Sequence, residues 1–175
     1  MFFNYEGQQV PQVNVWTLAP GGWYALTTSH LFSDRTIILF AVSGAFTGPH
    51  ASVQLSEYNK YVEWFKSQGV DEVICISVND PFVLSAWAQT EKANQVRFIP
   101  DAGGNFTRKL GMMVNLSNKG MGQRSWRYSM LVKDQVIEKM FVEPDGFETE
   151  PVLCDAKTML NYFSSETAKL GEKQA

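Results

Sequence analysis

The chain has 175 residues, 45% hydrophobic and 13% aromatic, enough for one domain that buries roughly 70% of the surface its unfolded chain exposes. A charged fraction of 19% and a formal net charge of -3 offer no long cationic surface for a phosphate backbone, so nucleic acid is not an expected partner. Two cysteines, Cys75 and Cys154, without a CxxC pair, exclude a disulfide-stapled secreted scaffold and point to a reduced, cytoplasmic setting. No leader peptide and no run near the ~20 apolar residues of a membrane span is present, so no membrane partner is expected. Only His30 and His50 join the two cysteines as soft ligands, too few and too scattered for a structural zinc site, and no cofactor or metal is predicted.

In chain order, residues 13–18 and 23–27 flank Pro20, Gly21 and Gly22, which predicts a hairpin. Residues 36–42, TIILFAV, form a continuous apolar, β-branched run expected of a strand covered on both faces. Leu55, Tyr58, Val62 and Phe65 recur at helical spacing before Gly69, predicting a helix over 51–68. A second buried strand, EVICISV over 72–78, precedes Asn79-Asp80-Pro81, a cap followed by proline at the first helical position. A short strand over 96–99, a turn at 101–104 and a short helix over 105–112 follow, then a long loop marked by Gly111, Gly120 and Gly122. Residues 127–132 and 136–142 read as an antiparallel hairpin around Lys133-Asp134-Gln135, and a last helix spans 155–163. The expected organisation is one domain over 1–163 and a frayed polar tail over 164–175. Its order predicts a thioredoxin-like α/β fold with an N-terminal β-hairpin.

In open α/β sheets, reactive groups gather where a strand's carboxyl end turns into a helix, since the helix's first N–H groups favour negative charge. After residues 36–42 that turn reads Ser43-Gly44-Ala45-Phe46-Thr47-Gly48-Pro49-His50. It resembles the active-site loop of peroxiredoxins, PxxxTxxC, within the wording PGAFTPTCS of the type-five subgroup; Gly44, Ala45, Phe46 and Thr47 match. The similarity extends through ISVNDPFVLSAWAQ (76–89), FIPDAGGNFTRKLGM (98–112), RSWRYSMLVKDQVIEKMFVEPDG (124–146) and DAKTMLNYF (155–163). These stretches resemble the bacterial glutathione-dependent and hybrid members, without the glutaredoxin domain of the latter.

The resemblance implies a peroxiredoxin-type thioredoxin fold, a homodimer, reduction of hydrogen peroxide and alkyl hydroperoxides, and a glutathione or thioredoxin-type reductant. It assigns Thr47 to hydrogen-bonding thiolate and peroxide, and Arg127 to steadying the thiolate and orienting peroxide. The departures fall on the loop: Ser43 and Gly48 stand for its prolines, Pro49 precedes the critical position, and His50 aligns with the peroxidatic cysteine. Thiolate attack on the O–O bond has no imidazole equivalent, so impaired or absent cysteine peroxidase activity is expected. Two alternatives accompany it: a non-catalytic, dimeric binding or regulatory protein holding a small oxygen-rich ligand at Thr47, His50 and Arg127, or redox activity relocated to Cys154, where a helix start lowers a thiol's pKa. Blander roles are weighed too: Thr47 as a helix cap, Arg127 in a structural ion pair, Cys75 as a small buried hydrophobe, and Tyr58, Trp64 and Phe65 as core and interface. Phe46 and Trp87 are candidates for a dimer contact.

Overall fold

The computed structural model describes residues 4–144 and 152–172, the last six of these by backbone only. Residues 145–151, at the end of the matching stretch 124–146 and beyond it, and 173–175 of the expected tail lie outside the described residues. The first hairpin pairs β1 (Asn14–Ala19) with β2 (Gly22–Thr27), from Asn14↔Thr27 to Ala19↔Gly22. A five-residue helix α1 (Thr28–Phe32) follows, capped by the Thr27 side chain, which accepts from the His30 N–H; one turn is too short to show a period in sequence.

The chain then alternates β3 (Thr36–Ala41), α2 (Pro49–Ser67), β4 (Glu72–Ser77), α3 (Pro81–Thr90) and β5 (Arg97–Pro100). After α4 (Asn105–Lys109) come β6 (Met113–Asn115), β7 (Gln123–Ser125), β8 (Tyr128–Lys133), β9 (Val136–Val142) and α5 (Ala156–Glu172). Five strands form one sheet in the order β5-β4-β3-β8-β9. The first three are parallel, while β8 runs antiparallel to β3 and β9 to β8. This is the thioredoxin-like mixed sheet that the element order predicts.

Alternation along β3 explains its apolar run. Ile37, Leu39 and Ala41 join a core under the hairpin, α1 and α4, with Val15, Leu26, Phe32 and Phe106. Ile38 and Phe40 face the other way, onto α2, where Leu55, Tyr58, Val62 and Phe65 form the buried stripe. Phe40 and Tyr58 stack with ring centroids 4.2 Å apart. Each such side chain contributes about 1.5–3 kcal/mol when fully buried, and both faces of β3 collect it.

Three sequence expectations change. The loop after α4 holds a small ribbon, Met113↔Ser125 to Asn115↔Gln123, whose three-residue strands are too short to alternate visibly. The last helix continues past Phe163 to Glu172; Ser164 and Ser165 donate back to the Leu160 and Tyr162 carbonyls instead of ending it. Trp87 is no surface contact: it is fully buried, its indole donating to Glu91 Oε1 at 3.2 Å and its ring edge-on to Phe98, because it lies on the sheet-facing side of α3. Phe46, by contrast, is exposed.

Candidate functional site

The turn from β3 to α2 is held from beneath by the end of the neighbouring strand. Asn79 Oδ1 accepts the Ala45 N–H at 2.9 Å and the Ser77 hydroxyl at 2.7 Å, tying the loop to the carboxyl end of β4. Arg124 closes it from the side, donating from Nη1 to the Val78 carbonyl at 3.0 Å and from Nε to Met121 at 2.9 Å. Gly44 is the point of closest approach: a Cβ there would fall 2.7 Å from Thr47 Cγ2. Phe46 takes φ 58° and Gly48 φ 108°, so the chain passes through the left-handed region twice before Pro49 opens α2.

Thr47 turns inward. Its hydroxyl donates to the Gly44 carbonyl at 2.6 Å and lies 3.2 Å from Ser43 Oγ. It is not the helix cap; Gly48 holds that position with no side-chain bond, so Thr47 secures the loop instead of the first N–H groups of α2. His50, the second residue of α2, is half-buried, and among the described residues its imidazole has no hydrogen-bond or ionic partner. Arg127 is buried and immediately precedes Tyr128, which pairs with Ala41, so Arg127 and the loop occupy the same end of the sheet. No hydrogen bond links Thr47 or His50 to Arg127. The cavities described, of about 650, 660, 200 and 220 Å³, are lined by other residues.

Arg127 acts elsewhere: its charge favours the thiolate of Cys154. The Cys154 thiol donates to Glu143 Oε2 at 3.2 Å and receives the Gln54 Nε2 amide at 3.3 Å. Glu143 also accepts the backbone N–H groups of Val152, Leu153 and Cys154 at 3.1 to 3.4 Å, holding the segment that leads into α5, while Asp155 caps the helix itself by accepting the Thr158 N–H at 2.7 Å. Its own N–H bonds to the Arg127 carbonyl at 3.1 Å. Tyr58 completes the cage, donating to the Cys154 and Asp155 carbonyls. Burial, then the Glu143 carboxylate, push the Cys154 thiol well above the ordinary thiol range, and Arg127 offsets only part of this. The expected lowering by the helix start is therefore overturned. Cys75, inside β4 with no polar neighbour to favour its thiolate, is likewise pushed up by burial alone.

Asn79, Arg124, Glu143 and Gln54 are the residues that pattern reading passes over. Asn79 carries a signal, a polar side chain at a strand's carboxyl end, whereas Glu143 and Gln54 are identified only by what lies across the fold from them. Among the described residues, no group of three or more histidine, cysteine or acidic side chains is placed to hold a metal ion.

A parallel-centred sheet with its loop at the carboxyl end of β3 defines a protein of the thioredoxin-fold class. A family model described as Redoxin matches residues 6–156. Hybrid peroxiredoxin hyPrx5 of Haemophilus influenzae is 46% identical over 161 residues, covering 92% of this chain and 67% of that protein. A peroxiredoxin of Synechocystis is 46% identical over 153 residues, 85% of this chain and 81% of that one. Among solved structures, reduced Prx3 of Vibrio vulnificus in complex with hydrogen peroxide superposes with TM-score 0.82 at 32% identity, covering 92% of this chain and 99% of that one. The chain belongs to the redoxin family and, within it, to the peroxiredoxins.

Proposed function

We propose that His50 occupies the position of the attacking thiol in this peroxiredoxin, which therefore does not perform thiolate-dependent peroxide reduction. The observation that carries the reading is the location of both thiols: Cys75 lies within β4 and Cys154 before α5, neither on the turn into α2. Both are buried and both are held protonated, the form that does not attack an O–O bond. The fold is that of the peroxiredoxins, and the resemblance assigns Thr47 and Arg127 to an ancestral hydroperoxide reductase coupled to glutathione or a thioredoxin-type reductant, while the loop around Thr47 departs from it at Ser43, Gly48, Pro49 and His50. Vibrio vulnificus Prx3, to which the chain is similar, binds hydrogen peroxide.

The test is hydrogen peroxide consumption with dithiothreitol by the natural protein, a Cys154→Ala variant and a His50→Cys variant. The expected result is background turnover for the first two and a gain for His50→Cys. Natural turnover that disappears in Cys154→Ala would instead support the second reading, redox chemistry at Cys154. Arg127 is the one charge that favours this thiolate, and burial together with the Glu143 carboxylate outweighs it. Turnover that survives in Cys154→Ala would overturn both.

A further inference from the structure

At the opposite end of the strands from the loop, two arginines converge on one oxygen. Arg35 Nη2 lies 3.1 Å and Arg97 Nη1 3.3 Å from Glu72 Oε2. Arg35 precedes β3, Glu72 opens β4 and Arg97 opens β5, so the trio sits at the amino ends of three parallel strands. Six-residue strands separate it by about 20 Å from the loop at their carboxyl ends. Guanidinium groups stay charged; Glu72 and the neighbouring Asp71, whose Oδ2 accepts the Thr36 N–H at 2.7 Å, balance them from the sheet side.

The two arginines, and not these carboxylates, face open space. A groove of about 660 Å³ opens between the hairpin and this sheet end, lined by Tyr24, Thr27, His30, Leu31, Arg35 and Arg97, with no carboxylate on its wall. The guanidinium groups are held in place, each about one-third exposed, and Arg35 is further anchored by its bond to the Leu31 carbonyl at 3.4 Å. Preset forks of this kind suit the oxygens of phosphate or carboxylate. His30 adds a ring N–H donor and Thr27 a hydroxyl, both exposed. Tyr24, also exposed, offers a ring face beside apolar Leu31. The volume falls in the range of small-organic-ligand sites and exceeds what a bare oxyanion fills.

We propose that this groove binds a phosphate monoester carried on a planar ring, the chemistry of a nucleoside monophosphate. The phosphate oxygens take the free donors of Arg35 and Arg97, and the ring lies against Tyr24. The site is independent of the loop at Thr47 and of the peroxide reading.

Nitrogen-15 spectra of the guanidinium Nε–H groups and calorimetry, with adenosine 5′-monophosphate, inorganic phosphate and adenosine as separate probes, test it. Adenosine 5′-monophosphate is expected to shift the Arg35 and Arg97 signals and to bind at least ~10-fold more tightly than phosphate, and Arg97→Ala to weaken it about 10-fold or more. Glu72→Gln removes the competing carboxylate, so it is expected to tighten binding severalfold, a gain that a purely structural cluster does not predict. Equal affinity for phosphate and adenosine 5′-monophosphate overturns the ring assignment. No shift with any probe at millimolar concentration, or no gain in a folded Glu72→Gln protein, overturns the site; the latter reading stands even where Arg97→Ala fails to fold.

Discussion

Cys154 donates its thiol hydrogen to Glu143 across 3.2 Å, and the same carboxylate gathers three backbone N–H groups from the turn that starts α5. Glu143 therefore joins the end of β9 to the beginning of α5. Removing it leaves the buried Cys154 N–H unmatched, at roughly 1–3 kcal/mol, and hands the N–H groups of exposed Val152 and Leu153 to water. Glu143→Ala is expected to destabilise the protein by about 3 kcal/mol, a large share of a domain's net stability, measured by urea unfolding. Cys154→Ala, which removes one weak donor and leaves the backbone bonds in place, is expected to cost less.

The same cage predicts slow chemistry at sulfur. Alkylation by iodoacetamide requires thiolate and access, and Cys75 and Cys154 lack both. At pH 8 the native protein is expected to label far more slowly than the urea-unfolded chain, with mass spectrometry locating the label. Rapid native labelling at Cys154 would contradict the geometry of the cage.

The pH dependence follows from the direction of these shifts. A thiol whose folded pKa lies above its unfolded value near 9.0 holds its proton in the native state after the unfolded chain has lost it. Its contribution is complete below that value and is lost as pH climbs towards the folded pKa. With two such thiols, stability is expected to fall from about pH 9 upward with a limiting slope near 2.7 kcal/mol per pH unit, about 1.4 for each proton. Cys154→Ser should remove about half of the thiols' share of that slope between pH 9 and 10, where Tyr58 and Tyr128, also pushed up by burial, begin to add theirs. Equilibrium unfolding across this range reads the difference.

Loop geometry carries a separate prediction. Gly44→Ala places a methyl 2.7 Å from Thr47 Cγ2, and the adjacent backbone is anchored through Ala45 and Asn79. Thr47 must then turn away and give up its bond to the Gly44 carbonyl. A loss of about 1–3 kcal/mol is expected, as for overpacking elsewhere, together with faster amide exchange at Ala45. Asn79→Ala is expected to speed the same amide by releasing its acceptor, and agreement between the two variants identifies the loop as one unit.

What the sequence made readable followed from length and chemistry. β3 and β4 announce themselves because both of their faces are buried, and Asp80-Pro81 marks the start of α3 because Asp80 caps it, accepting the Phe82 and Val83 N–H groups. Resemblance located the loop at Thr47. Arg127 lies at that end of the sheet, and its electrostatic neighbour, Cys154, lies 27 positions further along the chain, a pairing made by β8, β9 and the start of α5. Glu143 and Gln54 were invisible for the same reason: nothing local distinguishes a buried carboxylate or amide from an exposed one. Short elements such as α1 and β6 failed for another cause, having too few residues to display a period.

The hairpin tip supplies the last prediction. Trp23 meets Phe82 edge to face, with centroids 5.8 Å apart and an interplanar angle of 76°, although both rings remain more than half exposed. Strands β1 and β2 pair only with each other, and an isolated two-stranded hairpin is marginal in water. Val15 and Leu26 secure its base in the core, while at the tip this ring pair joins it to α3. Phe82→Ala is expected to cost about 0.5–1.5 kcal/mol, with the loss concentrated locally. Amide exchange should quicken at the paired residues Leu18 and Trp23 while Val15 and Leu26 keep their protection. Uniform acceleration along both strands would mean that Phe82 supports the domain as a whole and not the hairpin tip.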